Sequence, residues 1–297
     1  MRTVYDVKET FQARSAQEVL ALLAAHPGAV LVAGGTDVMI RLKKRKLQDA
    51  VLIGLQQVPE LQGVELEADG TLSIGAGCTF DTLERHLLLL ERVPMLAEAC
   101  HQVGSPQIRV MATIGGNLCN GAVSADSAPA LYALDAELEV MGAAGIRRIP
   151  VCQFHTGPGR TVLGEDELLL RIRISPNSYQ NCGGCYLKFG QRNAMEISTL
   201  GCAVNVELTE DRTRIKRAAI AYGVAAPVPK RCYETESRLA GMKTDEEALR
   251  LLRSTVLRQL SPRDSWRASK ELREQLIREL GSRALRRAIE NAGGELG

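Results

Sequence analysis

The feature that most restricts the fold is a short apolar segment that runs directly into two adjacent glycines. Residues 29–33 are apolar, and residues 34–37 read Gly-Gly-Thr-Asp. A helix is predicted before this segment over residues 15–25, where Ser-x-x-Glu forms a capping box, and another after it over residues 38–46. A second apolar run covers residues 51–55. The order helix, strand, glycine turn, helix, strand predicts a small α/β unit with a parallel sheet.

The rest of the chain has the pattern of an α+β fold. Residues 63–174 mix strand-like and helical runs, with a hairpin signal at an Asp-Gly turn. The best boundary is the Pro-Asn-Ser at residues 176–178. Beyond it, three strand-like runs precede two helical ones, at residues 185–189, 202–208, 218–224, 246–259 and 266–292. This order predicts a C-terminal α+β domain with a three-stranded antiparallel sheet and helices.

Two domains are therefore expected within an α+β chain of 297 residues. Residues 1–176 form the first, divided into subdomains of about 1–57 and 58–176. Residues 177–297 form the second.

Composition argues against several classes of partner. The formal net charge is +2, which provides no broad field for nucleic acid or an anionic membrane. No apolar run is long enough to span a bilayer, and residues 1–6 do not resemble a secretory leader. The eight cysteines are scattered, as expected for reduced thiols in a cytoplasmic protein.

Two glycine turns are the candidate ligand site. The first is Val-Leu-Val-Ala-Gly-Gly-Thr-Asp at residues 30–37, and the second is Thr-Ile-Gly-Gly-Asn at residues 113–117. Either one alone is typical of an ordinary turn. Together they favour a diphosphate cradle built from backbone N–H donors. Residues 75–80 and 116–123 fail the Rossmann and Walker A patterns respectively.

In this combination the two turns resemble the FAD-binding domain of the molybdenum hydroxylases, the xanthine dehydrogenase and carbon monoxide dehydrogenase family. The resemblance extends over essentially the whole chain. It is strongest to the separate FAD subunit of bacterial xanthine dehydrogenases, through Phe-His-Thr-Gly-Pro-Gly at residues 154–159 and Tyr-Gly-Val-Ala-Ala-Pro at residues 222–227. It implies a two-subdomain FAD-binding domain of the PCMH/vanillyl-alcohol-oxidase-like type, followed by the C-terminal domain.

The resemblance also implies which residues bind FAD. The two turns wrap the diphosphate and ribityl chain, Asp126 hydrogen-bonds the cofactor, Leu169 packs on the isoalloxazine, and Lys188 lies near the ring. Arg192 and Glu196 occupy the loop at the ring edge. The complete set is Val30, Leu31, Val32, Ala33, Gly34, Gly35, Thr36, Asp37, Thr113, Ile114, Gly115, Gly116, Asn117, Asp126, Leu169 and Lys188. No catalytic side chain and no metal ligand is expected.

The implied activity is electron transfer within a heterotrimer. Partner subunits carry molybdopterin and two two-iron iron–sulfur clusters, and noncovalent FAD on this chain reduces NAD⁺ during oxidation of hypoxanthine and xanthine to urate. Two alternatives stay open. The chain could serve another molybdenum hydroxylase, for an aldehyde or a different N-heterocycle, or it could be a scaffold that has lost its flavin.

Three further features have open interpretations. Cys119 lies in the second turn region, where either a redox-sensitive or a buried inert thiol is compatible with the sequence. Cys182 and Cys185 have C-x-x-C spacing without a second pair for zinc. Residues 41–46 are basic at five of six positions, as in a docking patch or a solvated helix face.

Overall fold

A computed structural model describes residues 5–192 and 194–297. Residues 1–4 lie outside the described part. The prediction about a secretory leader rests on residues 1–6, so most of that segment is not described. No helix in the described part combines the length and apolar character needed to cross a bilayer.

The first unit is the parallel α/β structure that the glycine turn predicts. It contains β1 (Val7–Gln12), α1 (Ala16–Ala25), β2 (Val30–Val32), α2 (Val38–Lys43) and β3 (Ala50–Gly54). The sheet order is β1-β3-β2, and both pairings are parallel. Ser15 caps α1, its Oγ accepting from the Glu18 N–H at 3.1 Å. Strand β1 was not predicted, because five of its six residues are exposed and it lacks an apolar run.

A five-stranded antiparallel sheet follows, with helices inserted between its strands. The strand order is β4-β5-β10-β6-β7. The elements are β4 (Val64–Leu66), β5 (Leu72–Gly75), α3 (Phe80–Glu84), α4 (Leu87–Arg92), α5 (Pro94–His101), α6 (Pro106–Met111), α7 (Ile114–Cys119), α8 (Ser127–Ala133), β6 (Glu137–Gly142), β7 (Gly145–Pro150), β8 (His155–Gly157), β9 (Arg160–Thr161) and β10 (Leu168–Ile174). The short pair β8 and β9 forms a separate ribbon.

The C-terminal part is an antiparallel sheet covered by helices. It contains β11 (Cys182–Phe189), β12 (Leu200–Leu208), β13 (Ile215–Gly223), β14 (Lys230–Arg231), α9 (Tyr233–Leu239), α10 (Glu246–Thr255) and α11 (Lys270–Asn291). The prediction of three strands was wrong by one, because the two-residue β14 pairs with β13 and is too short to leave a sequence signal. Helix α11 begins at Lys270, four residues later than predicted, since Ser265 and Ala268 form a β-bridge before the Ser269 cap.

The buried apolar side chains form two hydrophobic cores. One lies beneath the first two sheets, and the other lies between the C-terminal sheet and helices α10 and α11. The first core also takes in Tyr186, Ala203, Ala219 and Ala221 from the C-terminal sheet. The domain division at residue 176 remains a prediction, but packing is continuous across it.

Candidate functional site

The two glycine turns meet around a cavity of about 260 Å³. Twelve of the residues predicted to bind the ligand line it. These are Val30, Leu31, Ala33, Gly34, Gly35, Thr36, Asp37, Thr113, Gly115, Gly116, Asn117 and Leu169. The volume is below the roughly 300–1,000 Å³ of clefts that enclose a drug-sized ligand. The cavity therefore has room for part of a dinucleotide, and the rest must extend beyond it.

The first turn presents a row of free backbone donors. Within the described ranges, the N–H groups of residues 34–38 donate to no backbone or side-chain acceptor. Unpaired N–H groups that face a cavity favour an anion. Gly35 has a φ of +71°, a conformation that costs other residues strain. A Cβ on Gly34 would lie 1.9 Å from the Met111 carbonyl oxygen, so this glycine is needed for packing of α6 rather than for approach of a ligand.

The second turn differs from its prediction, because it is the start of helix α7 rather than a loop. Thr113 caps this helix, with its Oγ1 accepting from the Gly116 N–H at 3.1 Å. The Gly115 N–H donates to Ala76 and the Asn117 N–H donates to Thr113. All three donors are therefore already used. The prediction that both turns supply backbone donors is wrong for the second, and only the first turn has them free.

The glycines of α7 shape the cavity instead. A Cβ on Gly115 would come within 2.6 Å of Ala76, so helix and strand could not pack as closely. A Cβ on Gly116 would meet the Thr113 hydroxyl at 2.9 Å and Ala33 at 3.9 Å. A side chain on Gly116 would therefore crowd the Thr113 cap and reach toward Ala33, so glycine keeps the gap between the two turns clear. Free donors on one wall and a missing side chain on the other fit the diphosphate of a dinucleotide.

The remaining wall is apolar. Leu169 on β10 is buried and lines the cavity beside Leu168, Leu163 and Leu61. Such a surface suits a flat aromatic ring or an adenine. Val32 and Ile114 do not line the cavity, and Ile114 is part of the core.

Asp126 and Lys188 lie outside the cavity lining and form a buried ion pair with each other. The Lys188 Nζ is 2.9 Å from the Asp126 Oδ2, and it also donates to the carbonyl oxygens of Gln102 and Glu196. The hydroxyls of Tyr186 and Ser198 donate to the other carboxylate oxygen. Burial raises the pKa of Asp126, and the Lys188 ammonium opposes that shift only in part.

This network touches the cavity through one hydrogen bond. The Ser127 Oγ donates to the Asn117 Oδ1 at 2.7 Å, and Asn117 lines the cavity while Ser127 follows Asp126. Lys188 itself borders a second cavity with Arg192 and Glu196. The predicted site residues therefore form two neighbouring groups joined at Asn117.

A buried histidine fixes the C-terminal end of α7. The His155 Nε2 lies 3.1 Å from the Leu118 carbonyl oxygen, and its Nδ1 lies 2.9 Å from the Tyr132 hydroxyl. A carbonyl oxygen only accepts, so Nε2 carries the proton and Nδ1 accepts from Tyr132. Burial lowers the pKa of His155, which keeps the ring neutral. No local sequence pattern indicates this pairing, because His155 lies 37 positions after Leu118 and 23 after Tyr132.

Eleven cavity residues were not predicted as ligand-binding, and three of them are polar: Arg41, Cys119 and Asn120. Burial raises the pKa of Cys119 to about 12, which leaves an unreactive thiol at neutral pH. Burial likewise raises the pKa of Cys185 to about 11, and Cys182 and Cys185 are both free thiols. The sequence signal that points to Arg41 is its place one helical turn after Asp37.

Two family models match the chain. One describes the FAD-binding domain in molybdopterin dehydrogenase and matches residues 5–177. The other describes the C-terminal domain of carbon monoxide dehydrogenase flavoprotein and matches residues 185–288. The chain belongs to the FAD-binding subunits of the molybdenum hydroxylases. The resemblance inferred from the glycine turns is confirmed, and FAD is the cofactor of this family.

Individual relatives cover the chain almost completely. It is 38% identical to the xanthine dehydrogenase FAD-binding subunit of Escherichia coli O157:H7, over 99% of this chain and 100% of the relative. It is 30% identical to the nicotinate dehydrogenase FAD-subunit of Eubacterium barkeri, over 92% of this chain and 94% of the relative. The family therefore includes subunits named for different substrates.

Solved structures confirm the fold class. A chain of carbon monoxide dehydrogenase from Hydrogenophaga pseudoflava superposes with a TM-score of 0.91 at 27% identity, covering 97% of this chain and 99% of that one. The mixed α/β first part and the antiparallel C-terminal sheet are thus those of the family.

Proposed function

We propose that this chain is the FAD-binding subunit of a cytoplasmic xanthine dehydrogenase that uses NAD⁺ as electron acceptor. The chemistry that FAD supplies when bound is redox transfer between iron–sulfur clusters of a partner subunit and NAD⁺, during oxidation of hypoxanthine and xanthine to urate. The observation that carries the proposal is the row of unpaired N–H groups at residues 34–38, which line a cavity in a chain of this family.

The chain's own residues bind and orient the cofactor. The free donors of the first turn hold the diphosphate, and Gly116 leaves room for it between the turns. Leu169 supplies an apolar face for the ring, and Asn117 lines the cavity with its Oδ1 held by the Ser127 hydroxyl. Lys188 and Asp126 lie outside the cavity lining, and each is held by several hydrogen bonds within their buried network.

The proposed complex is a heterotrimer with a molybdopterin subunit and a subunit that carries two two-iron clusters. In the described ranges, no group of three histidine, cysteine or acidic side chains is arranged to hold a metal ion. Purine as substrate is supported by the 38% identity to a xanthine dehydrogenase subunit. A second candidate is the same role for another N-heterocycle, which the nicotinate dehydrogenase relative supports.

FAD binding is tested by titrating the purified full chain with FAD and following the flavin spectrum through gel filtration. The wild-type chain should retain flavin, and Gly116→Trp should not, because its indole would fill the space beside Ala33. Leu87→Trp is the matched control, since Leu87 is 70% exposed and outside the cavity. Circular dichroism of all three proteins shows whether they are folded.

Substrate and acceptor are tested on the complex assembled with its partner subunits. Xanthine should reduce NAD⁺ faster than nicotinate or an aldehyde does, and NAD⁺ should be preferred to oxygen or ferredoxin. A folded chain that binds no FAD, alone or in the complex, would refute the proposed function. A complex that binds FAD but prefers nicotinate would favour the second candidate.

A further inference from the structure

The cavity contains one positively charged side chain that the glycine turns do not account for. Among the described residues that line it, only Asp37 and Arg41 are charged. Arg41 lies on α2, one turn after Asp37, and its N–H donates to the Asp37 carbonyl oxygen. The other basic residues of this segment, from Lys43 to Lys46, do not line the cavity.

Arg41 has no acidic partner elsewhere in the described chain. Acidic and basic residues four apart on a helix commonly pair across its surface. Here, within the described ranges, neither Asp37 nor any other carboxylate forms an ion pair with Arg41. Many other arginines are paired, as Arg173 is with Glu67 and Arg231 with Glu236. The cavity thus has a guanidinium whose hydrogen-bonding capacity is free.

The surroundings of Arg41 identify the chemistry it suits. The neighbouring N–H groups of residues 34–38 are neutral donors, and they satisfy oxygen lone pairs without cancelling charge. A guanidinium adds a full positive charge and a planar pair of donors that matches phosphate oxygens. A diphosphate carries about two negative charges that the backbone alone leaves uncompensated.

We infer that Arg41 binds the cofactor's diphosphate and lets the site distinguish FAD from riboflavin, which has no phosphate. The inference rests on the proposed FAD site and assigns the source of its affinity for phosphate. Because Arg41 is exposed, salt screens this contact more than it would screen a buried one.

The test compares dissociation constants of FAD and riboflavin for the flavin-depleted full chain. Arg41→Gln removes the charge and keeps an amide of similar reach, and Arg41→Lys keeps the charge without the planar donors. Lys43→Gln is the matched control, because it removes one positive charge from the same helix on a side chain outside the cavity lining. Titrations at low and high potassium chloride measure the electrostatic part.

The inference expects Arg41→Gln to weaken FAD about tenfold at low salt, the size of one charge-assisted hydrogen bond to phosphate. The riboflavin affinity of Arg41→Gln should change less than about twofold, and so should the FAD affinity of Lys43→Gln. The difference in FAD affinity between Arg41→Gln and the wild type should become smaller at high salt. Arg41→Lys should bind FAD more tightly than Arg41→Gln and less tightly than the wild type.

Three results would overturn the inference. If Arg41→Gln binds FAD as tightly as the wild type does, Arg41 does not contact the diphosphate, although the FAD site itself stands. Arg41→Gln could weaken FAD and riboflavin equally, which makes Arg41 a shape-determining residue. Lys43→Gln could weaken FAD as strongly, which assigns the effect to the general field of the helix. A wild-type chain that binds neither flavin would refute both the proposed FAD site and this inference.

Discussion

Replacing Lys188 with methionine should destabilise the fold strongly, because it leaves Asp126 as a buried carboxylate without a counter-ion. The side chains of Lys188 and Asp126 are only 11% and 6% exposed. Methionine keeps the length of the lysine stem and removes the ammonium. The carbonyl oxygens of Gln102 and Glu196 lose their donor as well.

Breaking a buried ion pair from one side costs about 3–5 kcal/mol, against a total unfolding free energy of about 5–15 kcal/mol. The cost should depend on pH. Burial already raises the pKa of Asp126, and loss of Lys188 raises it further. When a group binds its proton more tightly in the folded state than in the unfolded state, the free energy of unfolding falls as pH rises. Lys188→Met should therefore cost least below about pH 3.8, the ordinary pKa of an aspartate, and more as pH rises above it.

The assay is urea unfolding followed by circular dichroism at several pH values. The matched control is Lys216→Met, since Lys216 also pairs with a carboxylate, Glu207, but its side chain is 63% exposed. That variant should change stability little. The double variant Asp126→Asn with Lys188→Met should recover part of the loss. If Lys188→Met cost no more than Lys216→Met, or if its cost were independent of pH, the account of the buried pair would be refuted.

Two further predictions concern α7 and its neighbours. Because burial lowers the pKa of His155 below its ordinary value of 6.5, the unfolded chain takes up a proton there more readily than the folded one, and stability should decline as pH falls below about 6.5. In His155→Gln that decline should be shallower in urea unfolding, and equal slopes would contradict the neutral, buried ring. Iodoacetamide at pH 8, followed by mass spectrometry, should alkylate the exposed Cys152 and spare Cys119, whose pKa is about 12. Equal modification of the two thiols would contradict the raised pKa of the half-buried Cys119.

The sequence was most informative where local chemistry and tertiary structure agree. The Ser15 cap, the β2 strand and the turn at Gly34 and Gly35 are all specified within a few residues, and all are present. The glycine pattern also led to the family, which the comparisons confirm. Twelve of the predicted ligand-binding residues line one cavity because the two turns are brought together by the packing of α6 and α7 on the first turn.

Other features depend on partners far away in sequence. Two glycines disfavour a helix, so residues 113–117 were expected to form a turn, but the Thr113 cap and the close contact of Gly115 with Ala76 stabilise α7. The role of the second turn was consequently misjudged, since its N–H groups are used within the protein. The pairing of Asp126 with Lys188 spans 62 positions and leaves no local pattern.

The shared core has a consequence for the order in which this protein matures during synthesis. Asp126 leaves the ribosome well before Tyr186, Lys188 and Ser198, which complete its hydrogen bonds. Strands β12 and β13, which fill the first core through Ala203, Ala219 and Ala221, emerge later still. The cofactor-binding half therefore remains an incompletely packed nascent chain until the downstream sheet is translated. The two family models match separate stretches of sequence, but the two stretches complete their folding together because they share a core.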